Sequence, residues 1–178
     1  MNGRIILAAV ILTGCQSGEE EKRSYEPPFE LNTYEERMEQ EEVRTAVVTH
    51  IVDGDTFDAV IEGSGEERIR PYMIDAPEIC HAHDPPSCKP ESWGDEASRF
   101  AEETLLGETV YLEPDETPVD PYGRTLAYVY LEDGTMYQEL LLALGFAEMN
   151  VYPPDDRYER ELNEVEQKAK ELKIGMWE

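Results

Sequence analysis

Three short clusters in this 178-residue chain hold residue types that can do chemistry together. They are Asp53-Gly54-Asp55-Thr56, Arg70 followed by Asp75-Ala76-Pro77-Glu78, and Tyr122-Gly123-Arg124. Carboxylates and free backbone carbonyls are the oxygen donors that a hard divalent cation takes. Arginine offers a planar fork that matches phosphate oxygens. A site with both suits metal-assisted phosphoryl chemistry. Taken singly, each cluster has a plainer reading. An Asp-Gly-Asp step is a common hairpin turn, Asp-x-Pro-Glu is a common loop start, and Tyr-Gly-Arg carries no signal by itself. The combination and its order carry the meaning.

The elements that must position these clusters follow from the apolar pattern. Val43 to Val52 is β-branched and partly alternating, and Thr56 to Glu62 alternates again, so the two read as a hairpin around Asp53-Gly54-Asp55. Gly63-Ser64-Gly65 turns the chain into a third strand, Glu67 to Ile74. Thr109 to Glu113 and Thr125 to Leu131 complete five strands. One helix is marked by Trp93, Ala97, Phe100, Ala101 and Leu105. A second is marked by Met136, Leu140, Ala143, Leu144 and Ala147, and a third by Tyr158, Leu162, Val165, Ala169 and Leu172. Five short strands with one helix after the third and two after the last predict an α+β fold: a small closed barrel of the OB type with three packed helices. The face of such a barrel binds oligonucleotides or oligosaccharides.

The order of the motifs resembles the staphylococcal-nuclease-like family, also called thermonucleases. Its pattern is Asp-Gly-Asp-Thr, then Arg followed five residues later by Asp-x-Pro-Glu, and later Tyr-Gly-Arg-x-Leu-Ala-Tyr, here Tyr122 to Tyr128. The resemblance runs on through Gly145-Phe146-Ala147 and Val151-Tyr152-Pro153-Pro154 to Gly175-Met176-Trp177. It implies a monomeric calcium-dependent nuclease that hydrolyses DNA and RNA at the P–O5′ bond and leaves 3′-phosphate ends. By that resemblance Asp55 and Asp75 are the calcium carboxylates, the backbone carbonyl of Ala76 is a third ligand, and Thr56 sits beside the metal through a water. Arg70 and Arg124 grip the scissile phosphate, and Glu78 is the general base. Tyr122 and Tyr152 are candidates for nucleotide contact. Pro71 replaces the usual aliphatic residue and removes a backbone donor, so a strand edge or bulge is expected there. The chain is one residue short between Met149 and Tyr152, so a stacking tyrosine expected near Asn150 is missing.

Residues 79–92 form a loop in which Cys80 and Cys88 flank His81 and His83. Two Cys and two His are zinc ligand types, but such tight bunching is not the usual structural-zinc spacing. A Cys80–Cys88 disulfide, which an exported protein can form, is the favoured reading. His50 reads as a solvated strand residue.

The N-terminus reads as an address. One cation, Arg4, precedes eight apolar residues from Ile5 to Leu12, too few to span a bilayer and suited to a secretion signal. Leu12-Thr13-Gly14-Cys15 resembles a bacterial lipobox, in which Cys15 is lipidated after residues 1–14 are removed. Residues 15–42 read as an acidic flexible linker, with ten carboxylates against three cations. The folded domain is expected over 43–178, in a protein exported and lipid-anchored to the outer side of the cell membrane.

The whole chain carries a net charge of −26. That balance alone disfavours a polyanionic partner and sets composition against motif. Two other function classes stand beside the nuclease: a non-catalytic nucleic-acid- or protein-binding module of the same fold, which the resemblance also allows, and a plain calcium-binding surface protein, which the acidity suggests. Inactive copies of the family typically lose the carboxylates or arginines, all of which are present here. A plain calcium binder would not need Arg70 and Arg124 among its carboxylates.

Overall fold

The structure, a computed structural model, describes residues 25–178. The signal segment 1–14, Cys15 and the first part of the expected linker lie outside the described residues. A short helix α1 (Glu35–Met38) precedes strands β1 (Arg44–Asp53), β2 (Thr56–Ile61), β3 (Gly65–Pro71) and β4 (Ile74–Asp75). Helix α2 (Gly94–Leu105), strands β5 (Thr109–Glu113) and β6 (Thr125–Tyr130), helix α3 (Tyr137–Ala143), strand β7 (Glu148–Met149) and helix α4 (Glu159–Leu172) follow. A 3-10 turn over Gly175–Trp177 ends the chain. Among the described residues no helix is long and apolar enough to cross a membrane.

Strands β1-β2-β3-β6-β5 close into a barrel, and β4 pairs with β7 in a two-stranded ladder beside it. Closure leaves the barrel no free edge. Alternation drives it: Ala46 and Val48 point inward while Val47 and Thr49 face out. Phe57, Ala59, Ile61, Ile69, Val110 and Leu112 fill the interior. The five long strands match the sequence expectation closely. Helix α4 buries Leu162, Val165 and Ala169 and packs against α3 and β7.

Three expectations are corrected. The third strand does not run to Ile74. It ends at Pro71, one last bond runs from the Tyr72 N–H to the Ala127 carbonyl, and Met73 then turns the chain out of the ladder with a left-handed φ of 63°. Ile74 and Asp75 then restart as β4 against Met149 and Glu148. The second expected helix stops at Ala143 rather than reaching Ala147. Gly145, at φ 62°, presses against Ile174, whose carbonyl oxygen would lie 2.1 Å from any Cβ placed there. The backbone must turn at that point, and only glycine fits.

The third correction concerns residues 25–42. This stretch reads as a solvated spacer, yet it straps across the barrel. Tyr25 sets its ring edge-on to Phe100 and Phe146. Thr33 bridges Thr135. Asn32 and Tyr34 donate to the Glu139 carboxylate, and Arg37 pairs with Glu113. Glu113 and Glu139 are both 0% exposed. Glu113 also accepts from Arg157, Tyr130 and Tyr158. Five apolar or aromatic residues (Tyr25, Phe29, Leu31, Tyr34 and Met38) pack on the core between solvent-facing acids. A chain truncated to begin at Val43 is therefore expected to lose on the order of 3–5 kcal/mol of unfolding free energy, because buried carboxylates lose partners. Urea unfolding of the two lengths measures this, and equal midpoints would refute it.

Candidate active site

The β1–β2 turn carries the first cluster. The Asp53 carboxylate accepts from the Asp55 N–H at 3.0 Å, which closes the turn. Gly54 is packed so tightly that a Cβ would lie 2.8 Å from that of Ala97 and 2.9 Å from that of Ala76. The buried Tyr137 hydroxyl donates to the Gly54 carbonyl at 2.7 Å and pins the turn from inside the core. Asp55 is thereby held inward at 6% exposure. One of its oxygens accepts from the Ala76 N–H at 2.6 Å and the other from the Thr56 hydroxyl at 3.2 Å.

Parallel pairing of β3 with β6 brings the other clusters alongside. Ile69 pairs with Thr125 and Arg70 with Leu126, so Arg70 and Arg124 reach the same barrel mouth. Arg70 bridges the two acidic clusters. Its Nη1 lies 3.0 Å from Asp55 Oδ2 and donates to the Ile74 carbonyl at 2.8 Å. Its Nη2 donates to Asp75 Oδ1 at 2.7 Å. Asn150 places its amide 3.4 Å from the other Asp75 oxygen and donates to the Tyr152 hydroxyl at 3.2 Å.

Glu78 sits at the start of the disulfide loop. The backbone pins it on both sides: its N–H donates to the Glu91 carboxylate and its carbonyl accepts from the Glu91 N–H. Gly94, first residue of α2, backs this segment so closely that a Cβ would meet the Glu78 carbonyl at 2.7 Å. Cys80 and Cys88 are joined in a disulfide, which takes both sulfurs from the alternative zinc reading. Among the described residues no three His, Cys, Asp or Glu side chains converge on a metal-sized point.

A cavity of about 600 Å³ gathers Asp55, Thr56, Arg70, Asp75, Glu78, Tyr122, Arg124 and Tyr152 on its walls. Eight of the residues singled out from sequence therefore share one site, and Ala76 lies beneath it with its N–H on Asp55. Tyr122 and Tyr152 stand at the rim, 85% and 70% exposed. Asp53, which the sequence places in the turn cluster without a role of its own, also lines the cavity; Asp120, Asn150 and Asp155 line it too and were missed as site residues by sequence reasoning. Tyr137 was given no role by sequence reasoning. No motif marks them. The spacing of Asp120 to Arg124 was the one available signal.

Electrostatics at the site are those of crowded carboxylates. Burial pushes the Asp55 carboxyl up to about 7, against the pull of Arg70, while Asp53 and Asp75 add to the rise. Burial raises Glu78 above its ordinary value, and the charges of Asp53, Asp75 and Glu91 add to this. An all-oxygen donor set with unneutralised negative charge is what a hard divalent cation fits, and a raised carboxylate facing solvent can take a proton.

Residues 68–178 match the family described as Staphylococcal nuclease homologue. The chain is 34% identical over 152 residues to a thermonuclease of Staphylococcus intermedius, covering 85% of this chain and 83% of the relative. It is 31% identical over 174 residues to a thermonuclease of Staphylococcus hyicus, covering 97% and 94%. It is also 34% identical over 140 residues to the endonuclease YncB of Bacillus subtilis, covering 78% and 64%. With the barrel, the paired carboxylates and the two arginines in place, the chain belongs to the staphylococcal nuclease homologue family.

Proposed function

We propose that this protein is a calcium-dependent nuclease that hydrolyses phosphodiester bonds of DNA and RNA. The observation that supports it best is Arg70, which touches both Asp55 and Asp75 on the wall of a cavity that Arg124 also lines. In this reading Asp55, Asp75 and the Ala76 carbonyl hold calcium, with Thr56 linked through a water. The bound ion would supply positive charge to the phosphate oxygens.

The chain's own residues do the rest. Arg70 and Arg124 orient the phosphate and offset the charge that grows on its oxygens. Glu78 accepts the proton of the attacking water as the water oxygen bonds to phosphorus. The P–O5′ bond breaks with its electron pair on O5′, which takes a proton from solvent water while Glu78 returns its own to solvent, leaving a 3′-phosphate and a 5′-hydroxyl. Tyr122 and Tyr152 offer exposed rings on which bases stack, a contact that tolerates any sequence.

Nicking of plasmid DNA by the purified protein, with calcium and then with chelator, tests this reading. Cleavage that persists in chelator would overturn the metal requirement. Calcium titration by calorimetry adds a readout independent of turnover: Asp55→Ala is expected to abolish the binding seen with the unchanged chain.

The reading extends to location. Residues 1–14 serve as a signal peptide, and Cys15 carries a lipid that anchors the nuclease to the outer side of the cell membrane. Two or more acyl chains are needed for stable anchoring. Cys15→Ser is expected to move the protein from the membrane to the soluble fraction at unchanged specific activity. Equal partition of both forms would sink this part of the proposal.

A further inference from the structure

The turn that delivers Arg124 is built around one carboxylate. Asp120 lies four residues before Arg124, and its side chain is 8% exposed. Its Oδ1 accepts from the backbone N–H of Tyr122 at 2.8 Å and from that of Arg124 at 2.9 Å. Its Oδ2 accepts from Arg124 Nε at 2.6 Å. The backbone closes the same turn twice more: Asp120 N–H donates to the Arg124 carbonyl and Gly123 N–H to the Asp120 carbonyl. Gly123 takes φ 83°, which the reversal requires.

The contact at Nε is specific in what it leaves free. A guanidinium gripped at Nε is fixed in direction but keeps both Nη groups for another partner. Arg70 is engaged the opposite way, through its Nη groups. The Nη groups of Arg124 carry no hydrogen bond to protein among the described residues, and its side chain lines the cavity under the Tyr122 ring, 5.5 Å from the centroid. Burial alone would lift the Asp120 carboxyl. The Arg124 N–H and guanidinium and the Tyr122 N–H outweigh it and hold the group below its ordinary range, so the charge persists at neutral pH.

We propose that Asp120 is a positioning residue: it locks the Arg124 guanidinium from behind so that the Nη edge faces the phosphate site. This rests on the nuclease reading above. Without the lock, Arg124 would sample rotamers that do not present the fork. A misplacement of about 1 Å at a reacting group costs on the order of 10²-fold in rate.

The test uses Asp120→Ala and Asp120→Asn, each alone and combined with Arg124→Ala. Turnover of single-stranded DNA is measured at saturating calcium, with unfolding midpoints alongside. Asp120→Ala is expected to lower kcat by about 10²-fold while KM moves far less, since the lost contact acts on charge formed during reaction. Asp120→Asn keeps an oxygen for the two backbone N–H groups and should recover part of that loss, to about 10-fold. In the Arg124→Ala background, Asp120→Ala should lower kcat by less than about 3-fold more, because no guanidinium remains to be oriented.

Two results would overturn the role. One is a folded Asp120→Ala with kcat within about two-fold of the unchanged chain. The other is an undiminished loss of about 10²-fold in the Arg124→Ala background, which would mark a purely structural turn. If Asp120→Ala does not fold, the Asp120→Asn cycle decides by the same criterion. Should Arg124→Ala itself keep full kcat, the role given to Arg124 in the nuclease reading falls too. If Arg124→Ala is slow and the Asp120 variants are not, only the positioning role falls.

Discussion

Arg70→Lys and Arg124→Lys are each expected to lower kcat by about 10²–10³-fold, the usual effect of losing one oriented donor that stabilises charge in a transition state. The two substitutions reach that loss by different routes. Arg70 spans three acceptors, the Asp55 and Asp75 carboxylates and the Ile74 carbonyl. A lysine ammonium is a single point and cannot bridge them while also meeting a phosphate. Arg124 is anchored through Nε, an atom lysine lacks. The stability outcomes should therefore diverge. Arg70→Ala leaves Asp55 buried without its cation and is expected to cost about 1–3 kcal/mol. Arg124→Ala removes a partly exposed pair, worth at most about 1 kcal/mol. Steady-state kinetics with urea unfolding checks both halves. Retention of near-normal kcat by both alanine variants would overturn the proposed mechanism.

The legibility of this site in the sequence has a physical basis. Asp55, Arg70, Asp75 and Arg124 lie at strand ends and turns, where glycine and proline punctuate the pattern and alternation shows where each strand stops. What remained hidden depends on contacts distant in sequence. Nothing in the sequence singles out Tyr137, and only the fold brings its hydroxyl to Gly54, 83 residues away. The strap over 25–42 was misread because ten carboxylates across 16–42 mask five apolar residues that follow no single period. Its partners Glu113 and Glu139 carry no motif that marks them as anchors, yet both are fully buried. The break after Pro71 was half visible: proline signals a lost donor, but the left-handed turn at Met73 has no marker in an otherwise apolar run.

The second large effect is one of salt. A protein that binds nucleic acid through 6–10 phosphate contacts loses about 10³–10⁵ in affinity between 50 and 200 mM salt, because bound cations release counterions from the phosphates. This chain is expected to lose far less. Two guanidiniums line the cavity, Arg70 and Arg124, against six carboxylates: Asp53, Asp55, Asp75, Glu78, Asp120 and Asp155. The whole chain adds a net charge of −26. For a single strand each neutralised phosphate contributes a slope of about −0.7 in log K against log salt, so two contacts give about −1.4. Repulsion from the acidic surface works in the opposite direction. The screening length falls from about 10 Å at 0.1 M to about 3 Å at 1 M, which masks remote carboxylates while leaving direct contacts less affected. The two trends offset, and KM for single-stranded DNA between about 0.05 and 2 M NaCl at saturating calcium should rise with a log–log slope below about 0.7, or fall. Such a protein would suit a salt-rich milieu. A slope of about 1.4 or more would show that the local cations dominate binding and that the surface charge is irrelevant to it.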